Sequence, residues 1–466
     1  MNLSILDISV IIAYFIVILV IGFVIAGRYE KTQDSKLEFL LAGRNVTLPF
    51  FVATLVATWY GTILGVGELI YKFGIVEWLC LAFPYYIAAF FFAKFVARKI
   101  RKSGSYTIPE QITTKYGKEA GWISAFVVLV ITIPASYILM LGVMLSLFFD
   151  LSLEINIIIG AILSLAYIYT GGLKANILTN SAQFIIMYIG FAILLFYAMT
   201  NLGSVENMLD KIPDKHKELT GGLNWQYIFS WFIISLQTFV DPSFHQRCAA
   251  AKSSETAKKG IYVSIIFWII FDLMTLSTGL YAKAFVITDN PMMSYPLLAE
   301  MILPSICKGI FIISLLSIIM STLNSYAFLS AATVGNDILK PLQNKFHYLN
   351  NFSTTTLVRI GLIVTTFIAV ILAILLPSAI DLIYKTSSIA IPGLIIPLLV
   401  SYSEKYRLTS KKVIIMMILS TSVSLFWTIM KSLSSIKLFK DFEPMTVGII
   451  ISIILFLIFY KKVDNV

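Results

Sequence analysis

Long apolar runs separated by short polar gaps set the pattern of this chain. Read in windows of about 20 residues, the length a helix needs to cross a bilayer, they predict thirteen helices. These are 5–26, 48–73, 78–97, 121–149, 153–170, 176–199, 225–241, 260–285, 306–334, 356–376, 380–402, 412–430 and 445–460. The 121–149 and 306–334 runs exceed a straight crossing, so they are expected to tilt or to extend beyond the membrane. The first run is too long for a signal-peptide core, lacks a basic leader and is followed by a loop of mixed charge, so it reads as a retained span.

Composition agrees with the pattern. Hydrophobic residues make up 58% of the 466 residues and charged ones 13%, against about 25% charged in soluble proteins. Mean hydropathy is +0.88. An all-α polytopic membrane protein follows, because helices satisfy their own backbone in hydrocarbon. The polar gaps are too short for a separate core, so residues 1–466 form one transmembrane domain.

The net charge of +10 does not point to nucleic acid, because the basic residues gather in alternate short loops. Arg28, Lys31, Lys36 and Arg44 lie in one such loop, Arg98, Lys99, Arg101 and Lys102 in the next, and Arg247, Lys252, Lys258 and Lys259 in another. The positive-inside rule places these loops in the cytoplasm. With an odd number of spans, the N-terminus is then outside the plasma (inner) membrane and the C-terminus inside. Cys80, Cys248 and Cys307 imply no disulfide framework, and a P-loop of the form G-x-x-x-x-G-K-[ST] does not occur, which argues against ATP-driven transport.

Polar residues at membrane depth carry the candidate chemistry. Ala53–Glu68 combines Gly61, Gly65 and Gly67 with Thr54, Thr58, Thr62 and a carboxylate. A helix of this make-up is expected to break, and broken helices are tolerated where freed backbone lines a cavity. Carbonyls near Ala57 and Tyr60 can then hold a small cation, and Trp59 and Tyr60 offer flat faces to an organic solute. Small-residue helix packing is the plainer alternative.

A second group, Ser314, Ser317, Ser321, Asn324 and Ser325, recurs at three- and four-residue spacing along one helix face. It serves equally as hydroxyl glue or, at Ser321 and Thr322, as oxygen ligands for a hard cation. A third group closes the seventh helix. Asp241 and Pro242 are expected to end it, Asp241 with Arg247 reads as a helix-end ion pair or gate element, and Gln237 is the better solute candidate. Asp272 has no assigned partner, Asp381 and Lys385 read as a helical ion pair, and His216 and His347 as surface residues. His245 lacks a metal-ligand neighbour. No paired carboxylates or histidine cluster suggest an enzyme.

Several ordered motifs resemble the sodium:solute symporter family. Leu41-Ala-Gly-Arg-Asn45 precedes the second span; Tyr169-Thr-Gly-Gly-Leu-Lys-Ala175 is followed by Thr179 and Gln183; Gln246-Arg247 follows the seventh; Met320-Ser-Thr-Leu-Asn-Ser325 leads to Asn336-Asp337-Ile338. The resemblance implies a five-plus-five inverted repeat of the amino-acid-transporter type, with 48–199 and 225–402 as the repeats. Residues 5–26 are then an extra first helix and 412–460 two peripheral ones. It implies a sodium site on the carbonyls of Ala57, Tyr60 and Ile318 and the hydroxyls of Ser321 and Thr322. Where the family's motif usually has an aspartate near the sodium exit path, this chain has Asn180, which offers no charge.

The expected function is sodium-driven symport of a small organic solute, with no cofactor and with Trp59, Tyr60, Glu68 and Gln237 toward the solute. The alternatives are a proton-coupled or weakly coupled carrier and a solute sensor on the same scaffold.

Overall fold

The computed structural model describes residues 3–26, 35–343, 345–346, 351–376 and 379–462; within them the side chains at 24–26, 35, 165–167, 170, 379–381 and 383 are not described. Among the described residues the regular structure is helical, apart from a two-residue antiparallel pairing of Tyr406–Arg407 with Lys461–Lys462 and an isolated bridge between Val46 and Ala251. Nine helices among the described residues are long and apolar enough to cross a membrane. Burial separates centre from rim. The most apolar stretch of 307–342 is 94% buried within the protein, against 22% for the first helix and 28% for Ser410–Leu433.

Several expected crossings are broken rather than continuous, each for a local reason. The 48–73 run divides into Leu48–Ala57 and Ile63–Phe73. The long 121–149 run is two helices, Lys118–Thr132 and Ala135–Leu145, because Pro134 lacks an N–H and forces Ile133 out of helical geometry at ψ 120°. The 153–170 and 176–199 runs follow each other without a loop and turn at Gly172, with φ 57° and ψ −158°. A Cβ there would lie 2.7 Å from the Phe39 carbonyl oxygen, which accounts for glycine in the Gly171-Gly172 motif.

The seventh run corrects the sequence reading. Its helix Trp225–Ile234 tightens into a 3-10 turn at Ser235–Phe239, and Asp241 and Pro242 start the next helix, Pro242–Ala250, instead of ending this one. Asp241 Oδ1 accepts from the backbone N–H groups of Ser243 and Phe244 at 2.7 and 3.3 Å, and proline at the first helical position has no N–H to satisfy.

Two further contacts fix the frame. Asp7 of the first helix accepts from the N–H groups of Ile306 and Gly309, both at 2.9 Å, capping the central helix Cys307–Ala332. The Ala42-Gly43-Arg44 turn runs through positive φ at all three residues. It directs Arg44 to the Gly104 carbonyl and Val46 to backbone bonds with Ala250 and Lys252.

One expectation about histidine needs amendment. His216 is not a surface residue: it is 8% exposed, and its Nε2 bonds the Tyr71 carbonyl at 3.1 Å. His347 and the Asp381 side chain lie outside what is described.

Candidate functional site

Backbone hydrogen bonding lapses between the two halves of the broken helix. The carbonyls of Ala57 to Gly61 accept no backbone N–H, and bonding resumes only at Thr62. Buried carbonyls demand partners, and two of these find them on the central helix. Ser321 Oγ lies 2.7 Å from the Ala57 oxygen and 2.9 Å from that of Ile318. Thr322 Oγ1 lies 3.0 Å from the Thr58 oxygen and 3.2 Å from that of Ile318. Ser321 and Thr322 are 0% and 1% exposed.

Of the five positions expected for sodium, the structure thus brings together Ala57, Ile318, Ser321 and Thr322. The carbonyl that meets Thr322 is Thr58's rather than Tyr60's. Gly61 permits this approach: a Cβ there would lie 2.6 Å from Thr322 Cβ. Five oxygens and no nitrogen or sulfur converge, a donor set suited to a hard cation.

A second node adjoins this one. Thr58 Oγ1 donates to the Thr54 carbonyl at 2.6 Å, and Ser325 Oγ has the Ser321 carbonyl at 2.9 Å. With their hydrogens so used, these two oxygens can only accept. Two donors fill them. Arg247 Nη2 lies 3.3, 3.0 and 2.7 Å from the hydroxyl oxygens of Thr54, Thr58 and Ser325. Asn180 Nδ2 lies 3.2, 3.3 and 3.1 Å from the same three.

Asn180 therefore turns its amide nitrogen, not its oxygen, toward the node. Arg247 is fully buried and is not ion-paired with Asp241, whose second oxygen accepts from Tyr326 at 2.8 Å. Ser314, on the same helix as Ser321, bonds its own turn and packs where a Cβ on Gly190 would sit. It acts as packing.

Beside the junction lies a cavity of about 320 Å³, lined among others by Thr58, Trp59, Tyr60, Gln237, Asp241 and Asp272. Gln237 Nε2 donates to Tyr85 at 2.9 Å. Trp59 stacks edge-on to Tyr85, with centroids 5.0 Å apart, and the Tyr60 hydroxyl reaches the Trp268 carbonyl at 3.3 Å. Trp59, Tyr60 and Gln237 thus share one cavity.

Glu68 does not line it. It sits one turn before Lys72, whose Nζ lies 2.5 Å from its carboxylate, so the i,i+4 spacing gives Glu68 a local partner.

Sequence reasoning missed Glu77, which lines the cavity and is 6% exposed. It also left Asp272 without a partner, yet the Tyr86 hydroxyl donates to Asp272 across 186 residues. With Asp241, three carboxylates line one cavity, an arrangement the sequence reading did not find. The one available signal was Glu77 itself, a lone charge at the start of an apolar run.

Comparison with known proteins places the chain in a family. The model of the sodium:solute symporter family matches residues 39–419. The chain is 24% identical over 391 residues to the high-affinity choline transporter 1 of Drosophila melanogaster, covering 79% of this chain and 62% of that protein. It is 25% identical over 477 residues to the sodium/glucose cotransporter of Vibrio parahaemolyticus, covering 91% and 85%.

In three dimensions it is similar to a solved Na+-coupled sialic acid symporter in a substrate-bound outward-open state. That match has a TM-score of 0.81 and 13% identity and covers 100% of both chains. On the match of its whole central portion to the family model, this multi-pass membrane protein belongs to the sodium:solute symporter family.

Proposed function

We propose that the protein is a sodium-coupled symporter in which the broken-helix junction binds the ion and the adjacent cavity the solute. The ligands are the carbonyls of Ala57, Ile318 and Tyr60, with Thr58 as the nearer alternative to Tyr60, and the hydroxyls of Ser321 and Thr322. Trp59, Tyr60 and Gln237 face the solute. The observation that carries this reading is the convergence of Ser321 Oγ on the Ala57 carbonyl at 2.7 Å, between segments 264 residues apart. Unwound carbonyls facing an intact helix across a repeat interface are where transporters hold their coupling ion.

The architecture that goes with this reading has thirteen crossings, an inverted repeat of 48–199 and 225–402, an outside N-terminus and a cytoplasmic C-terminus. Relatives named as sodium/glucose and sodium/pantothenate carriers support sodium as the ion. Entry down the membrane potential contributes about 2.3 kcal/mol per charge per 100 mV.

Replacement of the family's usual aspartate by Asn180 makes proton coupling the second reading. Uptake into proteoliposomes under an inward sodium gradient, compared with uptake under a pH gradient alone, separates the two. Uptake that follows only the pH gradient overturns sodium coupling.

A further inference from the structure

We propose that the transported solute is a small organic ammonium cation, held by Glu77 and Asp272 among aromatic rings; this rests on the symport reading of the same cavity. Three carboxylates, Glu77, Asp241 and Asp272, line the cavity, and no Lys, Arg or His is among its described lining residues. The three are not equivalent.

Asp241 is engaged by the start of its own helix and by Tyr326. Asp272 receives the Tyr86 hydroxyl. Glu77 is 6% exposed, and its side chain makes no hydrogen bond or ion pair with any described residue. A carboxylate so buried is costly unless something supplies the opposite charge. Protein atoms do not supply it here, and the cavity that Glu77 faces is where a ligand would.

The remaining walls match that charge. Trp59, Tyr60, Tyr85, Tyr137, Trp231 and Tyr326 all contribute to the lining. Aromatic faces attract an ammonium or alkylammonium group through the ring quadrupole, most strongly where water is excluded. A volume of about 320 Å³ is at the small end of ligand pockets. An anionic solute would meet three carboxylates and no countercharge. A neutral polyhydroxyl solute would leave the buried Glu77 carboxylate without an opposite charge.

The test uses the purified full chain in proteoliposomes with an inward sodium gradient, and four labelled probes: choline, proline, glucose and lactate. The expected result is sodium-dependent uptake of choline alone, competed by tetramethylammonium, and thermal stabilisation by choline that sodium enhances. Glu77→Gln is expected to reduce choline uptake more than tenfold while leaving stabilisation by sodium alone intact. Asp272→Asn is expected to weaken choline in the same direction.

Sodium-dependent uptake of glucose, proline or lactate without choline overturns the cation proposal and leaves symport standing. Choline uptake driven only by a pH gradient upholds the cation and overturns sodium coupling. Should Glu77→Gln not fold, the wild-type stabilisation series decides: stabilisation by lactate, proline or glucose but not by choline or tetramethylammonium overturns the proposal. Absence of uptake and stabilisation with all probes overturns both readings together.

Discussion

Arg247 Nη2 lies 2.7 Å from Ser325 Oγ, so a fully buried arginine is held by hydroxyl oxygens with no carboxylate within ion-pair distance among the described residues. The guanidinium is a resident cation beside the proposed ion site, and it holds Thr54, Thr58 and Ser325 in fixed positions. Removing it leaves Asn180 Nδ2 to serve all three buried oxygens without the charged donor. Each hydrogen bond to a charged group is worth about 1.5–3 kcal/mol, so Arg247→Ala is expected to lower the melting temperature strongly in a detergent thermal-shift assay. Arg247→Lys is expected to recover only part of the loss, because an ammonium lacks the planar fork.

Ser321→Ala and Thr322→Ala each remove one proposed sodium ligand and are expected to raise the sodium concentration for half-maximal uptake. The double variant is expected to do so by more than tenfold. Sodium titrations at saturating solute check this; a double variant with unchanged sodium dependence refutes the site. Gly61→Ala tests the same junction from the other side, since its Cβ would collide with Thr322. It is expected to shift the titration in the same direction.

Asn180→Asp places a carboxylate against the Arg247 guanidinium, at a node joined to Ser321 through Ser325. Added negative charge favours nearby cations, although the guanidinium offsets part of it. A several-fold fall in the sodium concentration for half-maximal uptake is expected. An unchanged titration shows that the node is electrically isolated from the junction.

His216 gives a pH dependence outside the membrane-spanning segments. Burial depresses its pKa below the ordinary value of 6.5 despite the opposing bond to the Tyr71 carbonyl, and Lys283 adds to the depression. Nε2 is engaged at Tyr71 while Nδ1 is buried without a partner, so the added proton of the charged form would have no acceptor. Between the lowered pKa and 6.5 the undocked state binds more protons, so docking of the 204–222 loop is stable above about pH 6.5 and weakens as pH falls. Hydrogen exchange of this loop at pH 7.5 and 5.5, each corrected for the intrinsic exchange rate at that pH, is expected to show lower protection at the lower pH, a difference that His216→Asn removes.

Gly172 occupies φ 57°, ψ −158°, a region almost exclusive to glycine that costs other residues about 1–3 kcal/mol. Gly172→Ala also drives a methyl onto the Phe39 carbonyl, a backbone atom that cannot turn aside. Loss of stability at or above that range is expected in thermal melts.

How much of this was legible in the sequence varied with the kind of signal. Hydropathy located the nine helices long and apolar enough to cross among the described residues, because each crossing must fill the same apolar thickness, and the glycine- and threonine-rich stretch announced its break by composition. Ser321 was legible from its place on a polar helix face, and Thr322 as the adjacent hydroxyl. Which carbonyls face them was not, because a break of five residues leaves the register to tertiary packing; Thr58 rather than Tyr60 meets Thr322.

Charges misled in both directions. Glu68 looked buried by its place in an apolar run, yet helical periodicity puts Lys72 within its reach. Glu77 drew no notice because its meaning depends on Asp272, 195 positions later, which only folding brings to the same cavity. Asp241 read as a helix end because Asp-Pro serves both as a stop and as a start, and the 3-10 turn before it carries no sequence mark.

The two hydroxyls at the junction have a consequence for release. Each bonds a carbonyl, so an ion at the proposed site would compete with those bonds and gain only the difference between its own contacts and the bonds it displaces. At the proposed site, that exchange would hold affinity below what five oxygens would otherwise confer. A carrier needs such a site, since an ion that cannot leave on the far side ends the cycle after one turn.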